Sequence, residues 1–436
     1  MFAYYLKLGV RNLRRNPVLT ALMVLTLAVG VAASMSSLTL LHAMSGDPIP
    51  QKSDRLFVPL LDNAPLHQPN PSKDPPTQLT YRDAMALHAS GRSAHSTAIL
   101  GVGGAVSSGK ADARPELTDG LAVNTDFFSM FDVPFRSGGA WAREDDTRGG
   151  NVAVISSKLA DRVFGNADPV GRTLRFENRD FRITGVIGKW APLPKFYRLI
   201  GGDTLAAEDI FLPFNTAIAS EMDPNGSVEC NVNGEIKPGY QGLMDSECVW
   251  VQFWVELAKP GDRAAYAQYL DNYVNEQKKL GRFERPLNNR LYDVMQWLAQ
   301  REVVSDDSRL QTWLAFGFLL VCLVNVVGLL LAKFTARSGE IGVRRALGAP
   351  RIEVFKQYLT ESGVVGAVGG ALGIALTLGV LWLMSRQSDD IKAVAHMDWV
   401  MFATAVGLSL VASLLAGLLP TWRACQVRPA VQLKSQ

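Results

Sequence analysis

The sequence predicts a membrane protein with four transmembrane α-helices and a large mixed α/β (α+β) domain, which lies outside the membrane between the first and second helices. Three observations support this fold class. Four stretches of the 436-residue chain contain no Asp, Glu, Lys or Arg. Lys and Arg gather on one predicted side of these stretches, and a long segment of ordinary polar composition separates the first two. The pattern indicates helices in lipid joined to a domain in water.

Each uncharged stretch is long enough to cross a bilayer as a helix. A hydrocarbon core of about 30 Å requires roughly 20 residues of helix. Backbone amides in lipid must be paired within the segment, and long apolar runs with little alternation favour helices over barrel strands. The stretches are Asn16 to Gly46, Leu310 to Ala332, Ser362 to Ser385 and Trp399 to Trp422. We therefore predict transmembrane helices at residues 17–44, 306–334, 358–385 and 399–422.

The cations predict the orientation, since Lys and Arg near the ends of spans are retained in the cytoplasm. They precede the first span, lie between the second and third, and follow the fourth (Lys7, Arg11, Arg14, Arg15; Lys333, Arg337, Arg344, Arg345, Arg351, Lys356; Arg423, Arg428, Lys434). Both termini and the connection at residues 335–357, here named the coupling elbow, are thus predicted to be cytoplasmic. The short loop 386–398 and the outer domain, residues 45–305, are predicted outside.

The two ends of the chain are predicted to be cytoplasmic segments at the membrane. Apolar and basic residues alternate over residues 1–16 in a manner that suits an amphipathic helix on the lipid surface, and residues 423–436 form a tail. A cleavable signal peptide is the alternative for the first span, because small residues stand at Val31, Ala32 and Ala33. The uncharged stretch continues well past Ala33, which favours a transmembrane helix.

The outer domain carries short strand and helix patterns. β-Branched runs predict strands at Val152–Ser156 and Phe181–Ile187, and Val249–Leu257 alternates as a half-buried strand does. Apolar spacing predicts helices at Ser157–Phe164 and Ala264–Lys278. The segment is long enough for its own core, in one lobe or two.

The four cysteines divide by predicted compartment. Cys322 lies within a span and Cys425 at a cytoplasmic end, whereas Cys230 and Cys248 lie outside, where disulfides persist. We expect Cys230 and Cys248 to form a disulfide that stabilises their Gly- and Asn-containing loop by about 3 kcal/mol. Two unpaired buried thiols are the alternative.

Charge and motifs give little support for catalysis or nucleic-acid binding. The net charge is only +3, and the cations follow the topology instead of one soluble face. The five histidines show no metal-ligand spacing, and no HExxH or paired CxxC motif is present, so we expect no metal site and no catalytic residues. A membrane-anchored hydrolase therefore has no credible site.

The coupling elbow carries the most specific motif in the chain. Residues Arg337 to Ala349 read RSGEIGVRRALGA and precede a helix that contains Glu361. This segment resembles the permease signature of the FtsX/MacB superfamily of ABC transporters. The outer segments Ser53–Phe57, Asp126–Phe131, Asp168–Gly171 and Thr184–Ile187 are similar to the MacB-type periplasmic core. The resemblance covers nearly the whole chain, although Thr421, Trp422 and Cys425 depart from the family's C-terminal pattern.

The resemblance implies a non-catalytic permease subunit of the type VII ABC transporter class. Because the chain begins almost at its first span, we expect a separate ABC ATPase subunit, which would bind the ATP and Mg. A second copy or a related permease would complete a dimer in the bacterial inner membrane, in contact with lipids, and a periplasmic adaptor and outer-membrane channel are further possible partners. No nucleic-acid partner is expected.

Two sets of residues are expected to serve this permease. The resemblance implies ATPase coupling for residues of the elbow (Arg337, Glu340, Ile341, Gly342, Arg344, Arg345, Leu347, Gly348). In this arrangement a charged face meets the ATPase, while Ile341, Val343 and Leu347 pack on the membrane domain. The alternative is that these arginines serve only the positive-inside rule. The spacing of Gly366 with Gly370 and of Gly369 with Gly373 predicts close helix packing, either within the subunit or across a dimer.

The implied activity is ATP-driven mechanotransmission, in which cytoplasmic movement changes the periplasmic domain. Its expected outcome is efflux or extraction of an amphipathic substrate, such as a peptide, an antibiotic or a lipoprotein. The alternative is an FtsX-like signalling subunit that activates periplasmic cell-wall hydrolases. The large MacB-like outer domain favours transport.

Overall fold

A computed structural model describes residues 16–67, 73–107, 115–200, 207–230, 236–337, 339, 343, 347–348, 350–386, 395 and 397–425. The chain divides into two compact units. The outer domain forms one of them, Gly46–Val303. The other, here named the helical unit, combines Met1–Ser45 with Val304–Gln436.

The elements are numbered along the chain. The helices are α1 Pro17–Ser45, α2 Tyr81–Ala89, α3 Asp126–Met130, α4 Arg143–Arg148, α5 Ser157–Phe164, α6 Phe214–Ala219, α7 Tyr240–Asp245, α8 Arg263–Lys279, α9 Val294–Gln300, α10 Asp306–Thr335, α11 Arg351–Met384 and α12 Trp399–Cys425. The strands are β1 Leu56–Leu60, β2 His95–Ser107, β3 Glu116–Val123, β4 Phe135–Gly138, β5 Val152–Ser156, β6 Thr173–Phe176, β7 Arg179–Ile187, β8 Ile210–Pro213, β9 Gln252–Glu256 and β10 Arg290–Asp293.

Helices α1, α10, α11 and α12 are each long and apolar enough to cross a membrane. Helix α10 begins where the Ser305 hydroxyl accepts a hydrogen bond from the Ser308 N–H. The negative charges of Asp306 and Asp307 in its first turn interact favourably with the positive end of the helix dipole. Helix α11 begins at Arg351, before the predicted boundary at residue 358, so the last residues of the coupling elbow are helical. The predicted N-terminal amphipathic helix, the loop 386–398 and the tail lie wholly or mostly outside the described residues.

The helical unit is a bundle in which α10 and α11 each pack closely against α1 and α12. Its core is aliphatic at most positions and includes Met23, Leu27, Met35 and Val326. Small residues lie where α12 faces the core, as at Ala405 and Ala412. The bundle can therefore be close-packed with few large side chains.

Within the described residues, a sheet of ten strands organises the outer domain. The strands run in the order β10-β1-β9-β2-β3-β8-β5-β7-β4, and β6 pairs with both β2 and β7. Most pairs are antiparallel, but β3 with β8 and β5 with β7 are parallel. This mixture of pairings, with helices between strands, is the mixed α/β domain that the sequence predicts.

The sheet is covered on both faces. Along β9, Phe253 and Val255 belong to one core cluster, whereas Trp254 belongs to the other. The prediction that Val249–Leu257 is half-buried is therefore wrong: every residue of β9 is buried, because side chains alternate between two covered faces.

The other predicted elements of the outer domain are confirmed as elements. Strand β5 has the predicted bounds, and β7 begins slightly before Phe181. Helix α5 begins where the Ser156 hydroxyl accepts a hydrogen bond from the Leu159 N–H, and it ends at Gly165 with a positive φ of 61°. Helix α8 buries Tyr266, Leu270 and Val274 along one stripe.

Candidate coupling site and its helix contacts

The coupling elbow joins α10 to α11, and the structure describes only part of it. Arg337, Leu347 and Gly348 are described, whereas the predicted coupling residues Glu340, Ile341, Gly342, Arg344 and Arg345 lie outside the described residues. Gly348 has a φ of 97°, a left-handed conformation that suits glycine. The chain therefore makes a tight turn just before Pro350 and α11.

Two apolar side chains of the elbow are exposed. Leu347 is 84% exposed and Val343 is 52% exposed. The expectation that Val343 and Leu347 pack on the membrane domain is therefore wrong for Leu347, whereas about half of the Val343 surface is covered. Their apolar surface is free to face another molecule.

A buried cluster of charges lies where the elbow leaves α10. The Lys333 Nζ is 2.6 Å from the Glu361 Oε1, and both side chains are 0% exposed. The Arg337 Nη1 is 3.8 Å from the same oxygen, and its side chain is 14% exposed. Arg337, predicted to couple to an ATPase, thus lies against a carboxylate of its own chain.

Lys333 and Glu361 are not among the site residues predicted from the sequence. Glu361 stands one residue before the uncharged stretch of the third span, and Lys333 one residue after that of the second. Both residues lie within the predicted spans, and an ionisable residue inside a span is a functional-site hypothesis by default. This rule could have marked Lys333 and Glu361 as candidates. That they pair with each other depends on how α10 and α11 pack, which the sequence does not show.

The four predicted glycines of α11 face two different helices of the same chain. A Cβ at Gly366 would lie 2.8 Å from the Ser413 Cα, and one at Gly370 would lie 2.5 Å from the Ser409 Cβ, both on α12. At Gly369 the neighbour is Leu27 and at Gly373 it is Val31, each with an atom 2.9 Å away, on α1. Glycine thus permits close approach on two faces of α11.

In the outer domain, the structure joins Cys230 to Cys248 by a disulfide across 18 residues of sequence. Glu229 and Val249, the residues beside them, form an isolated antiparallel bridge. The bond therefore fastens one end of its loop to a buried position, since Cys248 is fully buried.

Beside that loop, Arg282 forms the centre of a charged network. Its guanidinium donates to both oxygens of Asp83, at 2.9 and 2.8 Å, and to both oxygens of Glu247, at 2.6 and 2.9 Å. The Tyr273 hydroxyl also donates to Asp83, at 2.6 Å. In the part of the chain that is described, no group of three His, Cys, Asp or Glu could hold a metal ion. The charges of this network are arranged to satisfy one another.

Two family models match this chain. The first, a MacB-like periplasmic core domain, matches residues 20–273, and the second, an FtsX-like permease C-terminal domain, matches residues 313–429. The chain is similar to the pyoverdine export ATP-binding/permease protein PvdT of Pseudomonas aeruginosa, with 26% identity over 315 residues, 72% of this chain and 42% of PvdT. It is also similar to the macrolide export ATP-binding/permease protein MacB of Azoarcus sp., with 25% identity over 331 residues, 75% of this chain and 44% of that protein. The chain spans less than half the length of these two relatives.

Among solved structures, the chain is similar to the periplasmic region of MacB from Actinobacillus actinomycetemcomitans. The identity is 12% and the TM-score 0.37, over 59% of this chain and 96% of that one. The first family model alone covers more than half of the chain, and the second covers the helices on either side of the elbow. The chain therefore belongs to the MacB/FtsX-like family of ABC transporter permeases.

Proposed function

We propose that this chain is the permease component of a MacB-like transporter in the bacterial inner membrane, and that it works by mechanotransmission. ATP hydrolysis in an ABC ATPase subunit, which holds the ATP and Mg, moves the coupling elbow. The helical unit carries this movement to a periplasmic outer domain. The proposal rests on family membership and on four helices that are able to span a membrane.

The observation that carries the coupling step is the exposed apolar surface of the elbow. Leu347 and Val343 present exposed apolar surface in a connection that is dense in cations. Interfaces commonly combine an apolar centre with a polar rim in which Arg is enriched. An ATPase surface that offers an apolar pocket with acidic residues around it would fit this arrangement.

The substrate class and the assembly are proposed on the same basis. PvdT and MacB relatives carry names that describe export of pyoverdine and of macrolides. We therefore propose efflux or extraction of an amphipathic substrate, by a dimer of this chain or of this chain with a related permease. The termini and the elbow would be cytoplasmic. An adaptor and an outer-membrane channel would carry the substrate onward.

A Leu347→Glu substitution tests the docking step. It places a charge in the proposed apolar contact, and loss of about 2 kcal/mol would weaken ATPase binding roughly 30-fold. Leu280→Glu is the matched control, because Leu280 is 75% exposed and lies in the outer domain. Both variants would be purified gently from the native host, and copurifying chains would be identified and quantified by mass spectrometry.

The expected result is that ATPase recovery falls in Leu347→Glu and is unchanged in Leu280→Glu. Equal recovery in all three proteins would contradict the assigned docking surface. Recovery of no ATPase, on this or any other chain, would contradict the transporter proposal itself. A copurifying hydrolase activator in place of an adaptor would favour the signalling alternative.

A further inference from the structure

The buried charges of Lys333, Glu361 and Arg337 connect two helices that otherwise have little backbone contact. In the described part of the bundle, α10 and α11 are not among the pairs with extensive close backbone packing, since each lies against α1 and α12. Long side chains cover the distance between them. Lys333 belongs to the last turn of α10, and Glu361 lies about three turns into α11.

A ring contact supports the same connection. Phe334 of α10 and Tyr358 of α11 have ring centroids 4.5 Å apart, at an interplanar angle of 64°. Both side chains are buried. Phe334 follows Lys333 in sequence, and Tyr358 lies about one helical turn before Glu361. An apolar contact and an ion pair therefore join the two helices in the same part of the bundle.

Stability alone does not explain an ion pair at this place. Removing two charges from water carries a desolvation penalty that their attraction often fails to exceed, so apolar replacements of similar volume are commonly neutral or stabilising. Breaking such a pair on one side is costly, because a buried charge remains without its partner. A pair with these properties fixes the arrangement of two elements more than it lowers the free energy of the fold.

We propose that Lys333, Glu361 and Arg337 form a mechanical tie that makes α10 and the first part of α11 move as one body when the elbow is displaced. This inference rests on the proposed function, since it assigns positioning residues to the coupling step. Arg337 stands in the elbow and reaches the carboxylate that Lys333 also contacts. One carboxylate therefore holds the end of α10, the start of the elbow and the third turn of α11.

The tie determines where a displacement of the elbow goes. Without it, the elbow could swing about the end of α10, and the movement would be lost in bending of the connection. With it, both helices receive the displacement together. Lys333, Glu361 and Arg337 thus act through the two helices and not through contact with substrate or ATP.

The test uses the double variant Lys333→Met with Glu361→Gln in the full complex with its ATPase. Both substitutions preserve side-chain size, and the Gln oxygen remains a hydrogen-bond acceptor beside Arg337. Spin labels on the outer domains of the two permeases in the dimer would report the distance change on ATP addition, in lipid nanodiscs. ATPase activity and thermal unfolding would be measured on the same samples.

Support for the tie would be near-normal unfolding temperature and ATPase activity together with loss of the ATP-dependent distance change. Lys333→Arg keeps the charge and is expected to retain the change. The control His42→Gln with Asp398→Asn removes a partly exposed contact, 3.5 Å long, between the His42 ring at the end of α1 and the Asp398 carboxylate at the start of α12. This control is also expected to retain the distance change.

Three outcomes would overturn the inference in distinguishable ways. A full distance change in the Lys333→Met, Glu361→Gln variant shows that the ion pair is only structural, while the proposed function stands. A wild-type complex that hydrolyses ATP without any distance change overturns mechanotransmission and the tie with it. If the double variant does not fold, Lys333→Arg provides the test, because it keeps the charge. Loss of the ATP-dependent distance change in folded Lys333→Arg would also overturn the tie.

Discussion

The outer domain and the helical unit both bury charged side chains, but they satisfy them differently. In the outer domain, Arg282 makes four hydrogen bonds to two carboxylates, and Asp83 receives a further one from Tyr273. In the helical unit, two cations share the carboxylate of Glu361. Extensive pairing offsets the cost of burial in the first case. The second arrangement joins two helices through a shared carboxylate, so a movement of one helix can strain it.

The two units also fill their interiors with different side chains. The outer domain buries large aromatic rings, such as Trp250, Trp254 and Phe127. The helical unit brings glycine against serine, as at Gly366 with Ser413. Removal of apolar area from water favours large side chains in the first unit. Lipid gives no such advantage, so close approach of backbones stabilises the second.

The largest expected effect comes from breaking the network of the outer domain. Arg282→Met leaves Asp83 and Glu247 without their shared cation, and Asp83 is almost fully buried. Removing one side of a buried ionic network costs about 3–5 kcal/mol. Chemical denaturation of the full chain, followed by tryptophan fluorescence, would measure the change.

Arg136→Met is the control for that measurement. Arg136 pairs with Asp161 at 2.8 Å, but both side chains are half exposed or more. Exposed ion pairs contribute about 0–1 kcal/mol. If Arg282→Met and Arg136→Met lowered the free energy of unfolding by similar amounts, the buried network would contribute no more to stability than an exposed ion pair.

A smaller effect is expected from one added methyl group in the helical unit. A Cβ at Gly366 would overlap Ser413 of α12, and overpacking of this kind costs about 1–3 kcal/mol. Gly363→Ala on the same helix is the matched control, since a Cβ there has no atom within 4 Å. Stability would be measured by unfolding in mixed micelles with increasing SDS. Gly366→Ala should unfold at a lower SDS fraction than wild type, and Gly363→Ala at a similar one.

The smallest effect concerns pH and the outer domain. Burial raises the pKa of Asp146 to about 6 from 3.8, against the opposing hydrogen bonds from the Thr125 N–H and the Trp141 indole N–H. The folded protein therefore binds a proton that the unfolded chain has released between these two values. The stabilisation is complete below about pH 4 and is lost as pH rises through 6.

Asp146→Asn should remove this component of the pH dependence. Allowing for partial exposure of Asp146, the free energy of unfolding of wild type should fall by roughly 1 kcal/mol relative to that of the variant as pH rises from about 4 to about 7. Denaturation of both proteins across that range gives the difference. A constant difference at all pH values would show that Asp146 has an ordinary pKa.

The sequence allowed prediction of features that depend on local chemistry. Apolar length and flanking cations predicted four helices because each requirement is met within one segment. The glycine spacing on α11 predicted close packing for the same reason. Strand Val152–Ser156 was predicted from its β-branched residues, and the structure gives it the same bounds.

Features that depend on distant segments could not be predicted in this way. The position of β9 between β1 and β2 depends on strand pairing across the whole domain, and the burial of both its faces depends on the two core clusters that cover the sheet. The partner of Glu361 depends on which side chains of α10 reach it. The exposure of Leu347 depends on the path of the elbow, which hydropathy does not determine.

The two-sided glycine packing of α11 restricts how subunits can assemble. Gly366 and Gly370 are occupied by α12, and Gly369 and Gly373 by α1, all within one chain. A second permease therefore has no vacant small-residue groove at these four positions. A symmetric pairing in the membrane must therefore use other surfaces, such as the open positions at Gly317 and Gly328 of α10, where an added Cβ would have no atom within 4 Å.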